Sequence, residues 1–179
     1  MPIEIRPAEL EDVDAIVAVV NDAYQDAHYF KNPDAFDRTN AAEVRDFLSS
    51  EISQDPAERR RTFYCVWDDS ELAACVQFDG DYSDQETYFG MLSVKSSHQG
   101  RGHAKRLLHK IECRTAELGK TTLTCAVVSI QGHLMRMYSS KGFKIIDCSE
   151  WPVDSKPFVV RSDYFELVKF VNMKKAIAA

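Results

Sequence analysis

The residues with the clearest chemistry are Gln99-Gly100-Arg101-Gly102-His103-Ala104, which follow an apolar strand, Tyr88 to Val94, and open an amphipathic helix. A glycine-bearing turn in that position leaves several backbone N–H groups free. The N-terminus of the following helix adds partial positive charge, so the pattern suits a phosphate or pyrophosphate. Side-chain charge agrees: no Asp or Glu occurs from Thr87 through Ile111, whereas Lys95, Arg101, Lys105, Arg106 and Lys110 all do. In a chain of 179 residues with a formal net charge of −6, this is an island of opposite sign. Two better-known phosphate loops do not fit. The dinucleotide pattern G-x-G-x-x-G needs glycine where Lys105 stands, and the Gly-Lys-Ser/Thr of a Walker loop is absent.

Such a turn needs a scaffold, and the composition supplies room for one. With 45% hydrophobic and 28% charged residues, no repeats and no low-complexity tracts, the chain reads as one domain over 1–179. Charge is uneven: 21 Asp and Glu against 7 Lys and Arg through Glu86, then 7 against 15. That asymmetry suggests two ligands, an anion held by the basic half and a cation drawn to the acidic one. Nucleic acid is disfavoured by a pI of about 5.4 and by the lack of a basic stripe interleaved with aromatics. The N-terminus has no signal-peptide layout, and the apolar run Ala15 to Val20 is too short to span a bilayer. A cytoplasmic protein without membrane contact is expected, with the nucleus left open. The five cysteines form no C-x-x-C pair and are read as reduced core residues, and no His/Cys spacing suggests a metal.

The expected elements follow from periodicity. Ile3 to Arg6 alternates as a strand and Pro7 ends it; Glu9, Glu11, Asp12 and Asp14 then crowd the start of a helix carrying Val13, Ile16, Val17, Val20 and Tyr24. Residues 29–38 read as a loop broken at Asn32-Pro33-Asp34, and a helix from Asn40 to Ser50 takes Asn40 as N-cap with Glu43 completing a capping box. Thr62 to Trp67 and Leu72 to Phe78 form a hairpin around Asp68-Asp69-Ser70-Glu71. After the strand and turn come the helix Gly102 to Leu118, a buried strand Thr121 to Val128, and a short helix Gly132 to Ser140. Phe143 to Cys148 and Phe158 to Val171 are expected to supply the last strands. The fold class is α/β (α+β): a mixed, mostly antiparallel sheet of about seven strands with helices on both faces.

Gln99, Gly102 and Ala104 meet the pattern Gln/Arg-x-x-Gly-x-Gly/Ala, and Tyr138-Ser139-Ser140-Lys141-Gly142-Phe143 meets Tyr-x-x-x-Gly-Phe. With both motifs, the sequence resembles the GCN5-related N-acetyltransferase (GNAT) superfamily over nearly its whole length. The resemblance implies acetyl-CoA as cosubstrate and no metal. It places the pyrophosphate on the turn Gln99, Gly100, Arg101, Gly102, His103, Ala104 and Lys105, with Lys95 as a further phosphate partner. Leu92, Ser93 and Val94 would offer backbone groups to the pantetheine arm, and a bulge there would aim an N–H at the thioester carbonyl. Tyr138 occupies the position from which members protonate the departing thiolate, a transfer open to a phenol. Seven residues earlier, where many members carry Asn, this chain has Gln131, and Ser129 is a further polar group at the strand end.

The family often takes its base from a Glu on the fourth strand. Glu86 lies just before that strand, although counting back from Gln99 brings the usual position nearer to Tyr88. Some members use no dedicated base, the proton leaving through water. His98 and His103 are read as surface or phosphate-side residues. Acceptor choice in the family lies in the first two helices and the loop between the last two strands. Here those segments hold Tyr24, His28, Tyr29, Phe30, Asp34, Asp37 and Arg38, then residues 151–158. The resemblance thus implies acetyl transfer to a primary amine of a small molecule by direct attack in a ternary complex, a homodimer being within expectation. Two alternatives stay open: acetylation of a protein lysine or N-terminus, and a catalytically silent CoA-binding module.

Overall fold

The computed structural model describes residues 3–25, 27–30, 37–152 and 160–178. In chain order the elements are β1 (Glu4–Pro7), a 3-10 turn (Leu10–Asp12), α1 (Val13–Ala23), α2 (Ala41–Ser49), β2 (Arg61–Asp68), β3 (Glu71–Asp79), β4 (Glu86–Val94), α3 (His103–Glu117), β5 (Thr122–Val128), α4 (Gly132–Ser140), β6 (Lys144–Glu150) and β7 (Lys169–Ala176). They build a seven-stranded sheet in the order β1-β2-β3-β4-β5-β7-β6. All neighbours are antiparallel except β4 and β5, which are parallel because α3 crosses between them. The mixed, mostly antiparallel architecture with helices on both faces is the one expected.

Each face has its own core. Leu107 and Ile111 of α3 and Tyr138 of α4 pack on Phe78, Phe89, Leu123 and Met173. Opposite, Ile16 and Val20 of α1 and Leu48 of α2 pack on Phe63, Cys65 and Cys75. Full burial of one such side chain contributes roughly 1.5–3 kcal/mol. A polar contact also fixes α3 to the strand that precedes it: the hydroxyls of Thr87 and Thr115 share a buried hydrogen bond of 2.7 Å. The β2–β3 hairpin is closed by Asp69 and Ser70, with φ of +50° and +67°, the two-residue turn whose twist matches the strands.

Three local expectations need correction. The last strand does not start at 158: residues 153–159 lie outside the described residues, Val160 makes an isolated bridge to Phe30, and Ser162–Tyr164 form a 3-10 turn. Ser162 and Asp163 favour turns, and β7 begins only at Lys169. The capping box of α2 is half built. Asn40 Oδ1 accepts from the Glu43 N–H at 3.0 Å, but the Glu43 carboxylate accepts from Thr39 Oγ1 at 2.6 Å instead of reaching back. Finally, only Cys65, Cys75 and Cys125 are buried; Cys113 and Cys148 are exposed, Cys148 on an edge strand whose residues all face solvent.

Candidate active site

β4 and β5 separate halfway along. Their pairing runs from Glu86↔Thr122 to Tyr88↔Thr124, although β4 continues to Val94 and β5 to Val128. The cause lies on β4. Met91 has φ of +47°, and the register with β3 jumps from Gln77↔Gly90 to Cys75↔Ser93, so Met91 and Leu92 stand together against Val76. This is a β-bulge, which bends its strand and raises the local twist. Holding a non-glycine residue in the left-handed region costs about 1–3 kcal/mol, and the β3 pairs on either side hold it there. Beyond the bulge, the β5-facing edge of β4 borders a cleft.

Two cavities open into this cleft. One, of about 680 Å³, lies between Leu92 and Val94 of β4, the turn from Gln99 to Lys105, and α4. Gly100 and Gly102 have φ of +77° and +81°, and Gly102 is the N-cap of α3 without any side-chain cap. The N–H groups of residues 100–105 have no hydrogen-bond partner among the described residues. No heavy atom lies within 4 Å of where a Gly102 Cβ would stand, so the left-handed φ, not crowding, calls for glycine. An anion placed there meets free donors and a helix N-terminus together.

The basic island is partly neutralised. Lys95 Nζ pairs with Glu71, and Arg101 Nη1 is 3.2 Å from Asp68 Oδ2; both acids sit at the tip of the β2–β3 hairpin. Lys105 and Lys141 line the cavity and have no ion pair among the described residues. His103 lines it, 1% exposed; its Nε2 is 3.5 Å from Asp68 Oδ2, and neither ring nitrogen has a hydrogen bond among the described residues. Burial lowers its pKa, against the opposing pull of Asp68, which favours the neutral imidazole beside a helix N-terminus.

The second cavity, of about 490 Å³, is bounded by Gln77, Gly90 and Met91 on one side and Cys125 to Val128 on the other, with Tyr24, Tyr29, Phe30, Arg38 and Trp151. Distant segments meet here. The Arg161 N–H donates to Tyr29 O at 3.0 Å, Trp151 stacks on Phe170 with centroids 4.6 Å apart, and Phe30 meets Trp151 edge-on at 6.1 Å. The two cavities share Tyr24, Leu92, Gln131, Leu134 and Tyr138, so they meet at the bulge.

Tyr138 stands in that shared wall. Its ring meets Phe89 and Phe143 at 5.6 Å each, edge-on. The Tyr-x-x-x-Gly-Phe spacing explains this: Gly142, with φ of +93°, reverses the chain so that the Phe143 N–H donates to Tyr138 O at 3.1 Å and its ring returns onto Tyr138. Burial raises the Tyr138 pKa well above 10, keeping the phenol protonated. Burial likewise pushes the Cys125 thiol, in the neighbouring wall, up to about 12.

Many of the expected site residues come together, while Glu86, Ser129, Ser93, Arg101 and Lys95 are among those that line neither cavity. Glu86 lines neither cavity: its Oε1 accepts from Lys174 Nζ at 2.5 Å and its Oε2 from Thr124 Oγ1 at 3.2 Å. Ser129 Oγ donates to Leu167 O at 2.7 Å and accepts from the Lys169 N–H at 3.0 Å, tying β5 to the start of β7. Ser93 is buried opposite Cys75, and Arg101 turns to Asp68. Gln77 and Lys141 are among the lining residues that the sequence reading did not assign to the site. Gln77 is the one polar residue in the apolar run Leu72 to Phe78, a signal that was available. Lys141, inside the second motif, faces the phosphate-side cavity only because α4 folds back on the turn.

Comparison with known proteins bears on the fold and the family. A family model described as acetyltransferase (GNAT) family matches residues 18–143. An N-acetyltransferase from Staphylococcus aureus Mu50 has 17% sequence identity and a TM-score of 0.72, covering 99% of this chain and 100% of its own. The PaiA N-acetyltransferase of Thermoplasma acidophilum, solved in complex with coenzyme A, has 18% identity and a TM-score of 0.73, covering 98% and 99%. A GNAT family acetyltransferase from Elizabethkingia anophelis with acetyl-CoA bound has 13% identity and a TM-score of 0.67, covering 97% of each chain. No curated protein sequence matches. With the family model spanning both motifs and the bulged fourth strand between them and the chain's start, this chain belongs to the GNAT family of acetyltransferases.

Proposed function

We propose that this acetyltransferase carries acetyl from acetyl-CoA to a primary amine of a small molecule, by direct attack in a ternary complex. The observation that carries the reading is the meeting of a donor-lined groove and an aromatic cavity at one bulged strand, with Tyr138 in their common wall. The free N–H groups of residues 100–105, with Lys105 and Lys141, suit the diphosphate. The unpaired edge of β4 around Leu92 and Val94 suits the pantetheine arm, and the amine enters from the side of Tyr24, Tyr29 and Phe30.

Acetyl-CoA supplies an activated acyl thioester. The amine nitrogen attacks its carbonyl carbon, a C–N bond forms and the C–S bond breaks. The amine gives its surplus proton to solvent, and the thiolate takes one from Tyr138, which is reprotonated from solvent. Juxtaposition of the two substrates supplies much of the rate. A small amine suits a cavity of about 490 Å³ lined by Tyr29, Phe30 and Trp151.

The test is thiol release from acetyl-CoA across amines, polyamines, amino acids and lysine peptides. Turnover with small amines is expected. Turnover confined to peptides would move the acceptor to protein, and acetyl-CoA binding without any turnover would leave a CoA-binding module.

A further inference from the structure

The acceptor cavity is ringed by aromatics, and it contains a guanidinium. Arg38 is the one cation among the described residues that line it. Its Cζ lies over the Tyr24 ring, 5.7 Å from the centroid. Among the described residues the one carboxylate oxygen within 4 Å of its guanidinium is Glu43 Oε1, 3.8 Å from Nη1, a loose ion pair, and the other Glu43 oxygen already accepts from Thr39 Oγ1 at 2.6 Å. Burial raises the phenols of Tyr24, Tyr29 and Tyr88, and in each the positive charge of Arg38 pulls the other way.

A second observation comes from Tyr29. It is 3% exposed, it lines the same cavity, and its hydroxyl has no hydrogen-bond partner among the described residues. A buried hydroxyl left unpaired is destabilising, so the group fits a ligand oxygen better than it fits the unliganded chain. A planar guanidinium fork and a nearby phenolic O–H are two donors suited to one carboxylate. Asp37, the other charged residue of this wall, faces Asn21, whose Nδ2 is 3.4 Å from its Oδ1.

We infer that the acceptor carries a carboxylate beside its primary amine on an aromatic or branched apolar skeleton, an amino acid or a close analogue, with Arg38 and Tyr29 holding the carboxylate and Phe30, Trp151 and Phe170 the apolar body. This rests on the acetyl-transfer reading for the fate of the amine, but not for the binding itself.

Matched pairs test it: L-phenylalanine against phenethylamine, and L-leucine against isopentylamine, each differing only in the carboxylate. In thiol release from acetyl-CoA, kcat/KM for the amino acid is expected to exceed that of its partner by about tenfold or more. Arg38→Gln should bring the ratio within about twofold, and Arg38→Lys, which keeps charge but loses the fork, should fall between. Equal kcat/KM within the wild-type pairs, or a preference unchanged in Arg38→Gln, would overturn the carboxylate assignment and leave acetyl transfer intact. Calorimetric binding of L-phenylalanine and phenethylamine to the wild-type protein with CoA present needs neither turnover nor a variant. Tighter binding of L-phenylalanine without thiol release upholds the carboxylate site and overturns acetyl transfer; no binding of either, with no thiol release, overturns both.

Discussion

At the glycine-turn end of the cleft the available contacts are main-chain groups: the N–H donors of residues 100–105 and the freed edge of β4. At the other end they are side chains from α1, residues 27–38, β3, β5 and the approach to β7, brought together by packing. The first kind of site is specified by where the chain turns and by which residues lack bulk. The second depends on how distant segments are placed against one another. A protein assembled this way can keep one ligand through a short motif and change the other by replacing side chains around a constant frame.

The comparison can be broken most sharply where the two ends meet. Tyr138→Phe keeps the ring packing against Phe89 and Phe143 and removes only the hydroxyl, so kcat is expected to fall about a hundredfold with acetyl-CoA KM little changed. An unchanged kcat would take Tyr138 out of the acid role. Next in size is Gly102→Glu, which adds a carboxylate beside the anion site and forces a side chain into φ of +81°, a strain of about 1–2 kcal/mol. Acetyl-CoA KM should rise about thirtyfold; Gly102→Ala, with the strain alone, should rise less. Equal KM values for Gly102→Glu and the wild type would remove the pyrophosphate from this turn.

Alkaline pH should act on the other end. Burial pushes Tyr88 up to about 12 and raises Tyr24, Tyr29 and Tyr138 as well. Between pH 10 and 12 the unfolded chain has released phenolic protons that the folded chain retains, so stability, complete below pH 10, falls as pH rises through this window. Thermal midpoints measured from pH 8 to 11 should therefore decline above 10, and a flat profile would contradict the buried phenol cluster. The smallest effect belongs to Glu86→Gln. Its carboxylate is held by Lys174 and Thr124 outside both cavities, so kcat should stay within about twofold; a loss near a hundredfold would restore Glu86 as the base.

Most of the frame could be read in advance because its signals are local. Alternation announced β1, an apolar run announced β4, acids and an apolar stripe announced α1, Asp68 to Glu71 announced the hairpin, and the glycine turn before an amphipathic helix announced an anion site. Where turn residues interrupted an apolar run, as at Ser162-Asp163, the strand was placed too early. Charge misled for a related reason. The island around Lys95 and Arg101 is free in sequence, yet pairing β3 with β4 swings the hairpin tip, with Asp68 and Glu71, directly onto it.

The sequence by itself determined the glycine-turn end, since the φ of a glycine and the free N–H groups of a helix start depend on few neighbours. Tertiary structure decided the rest of the site. It parted β4 from β5 at Met91, retired Glu86 into an ion pair with Lys174, and turned Gln77 and Arg38 into one aromatic cavity. Those outcomes depend on strand register and on contacts between segments far apart in the chain, which no local pattern of residue types encodes.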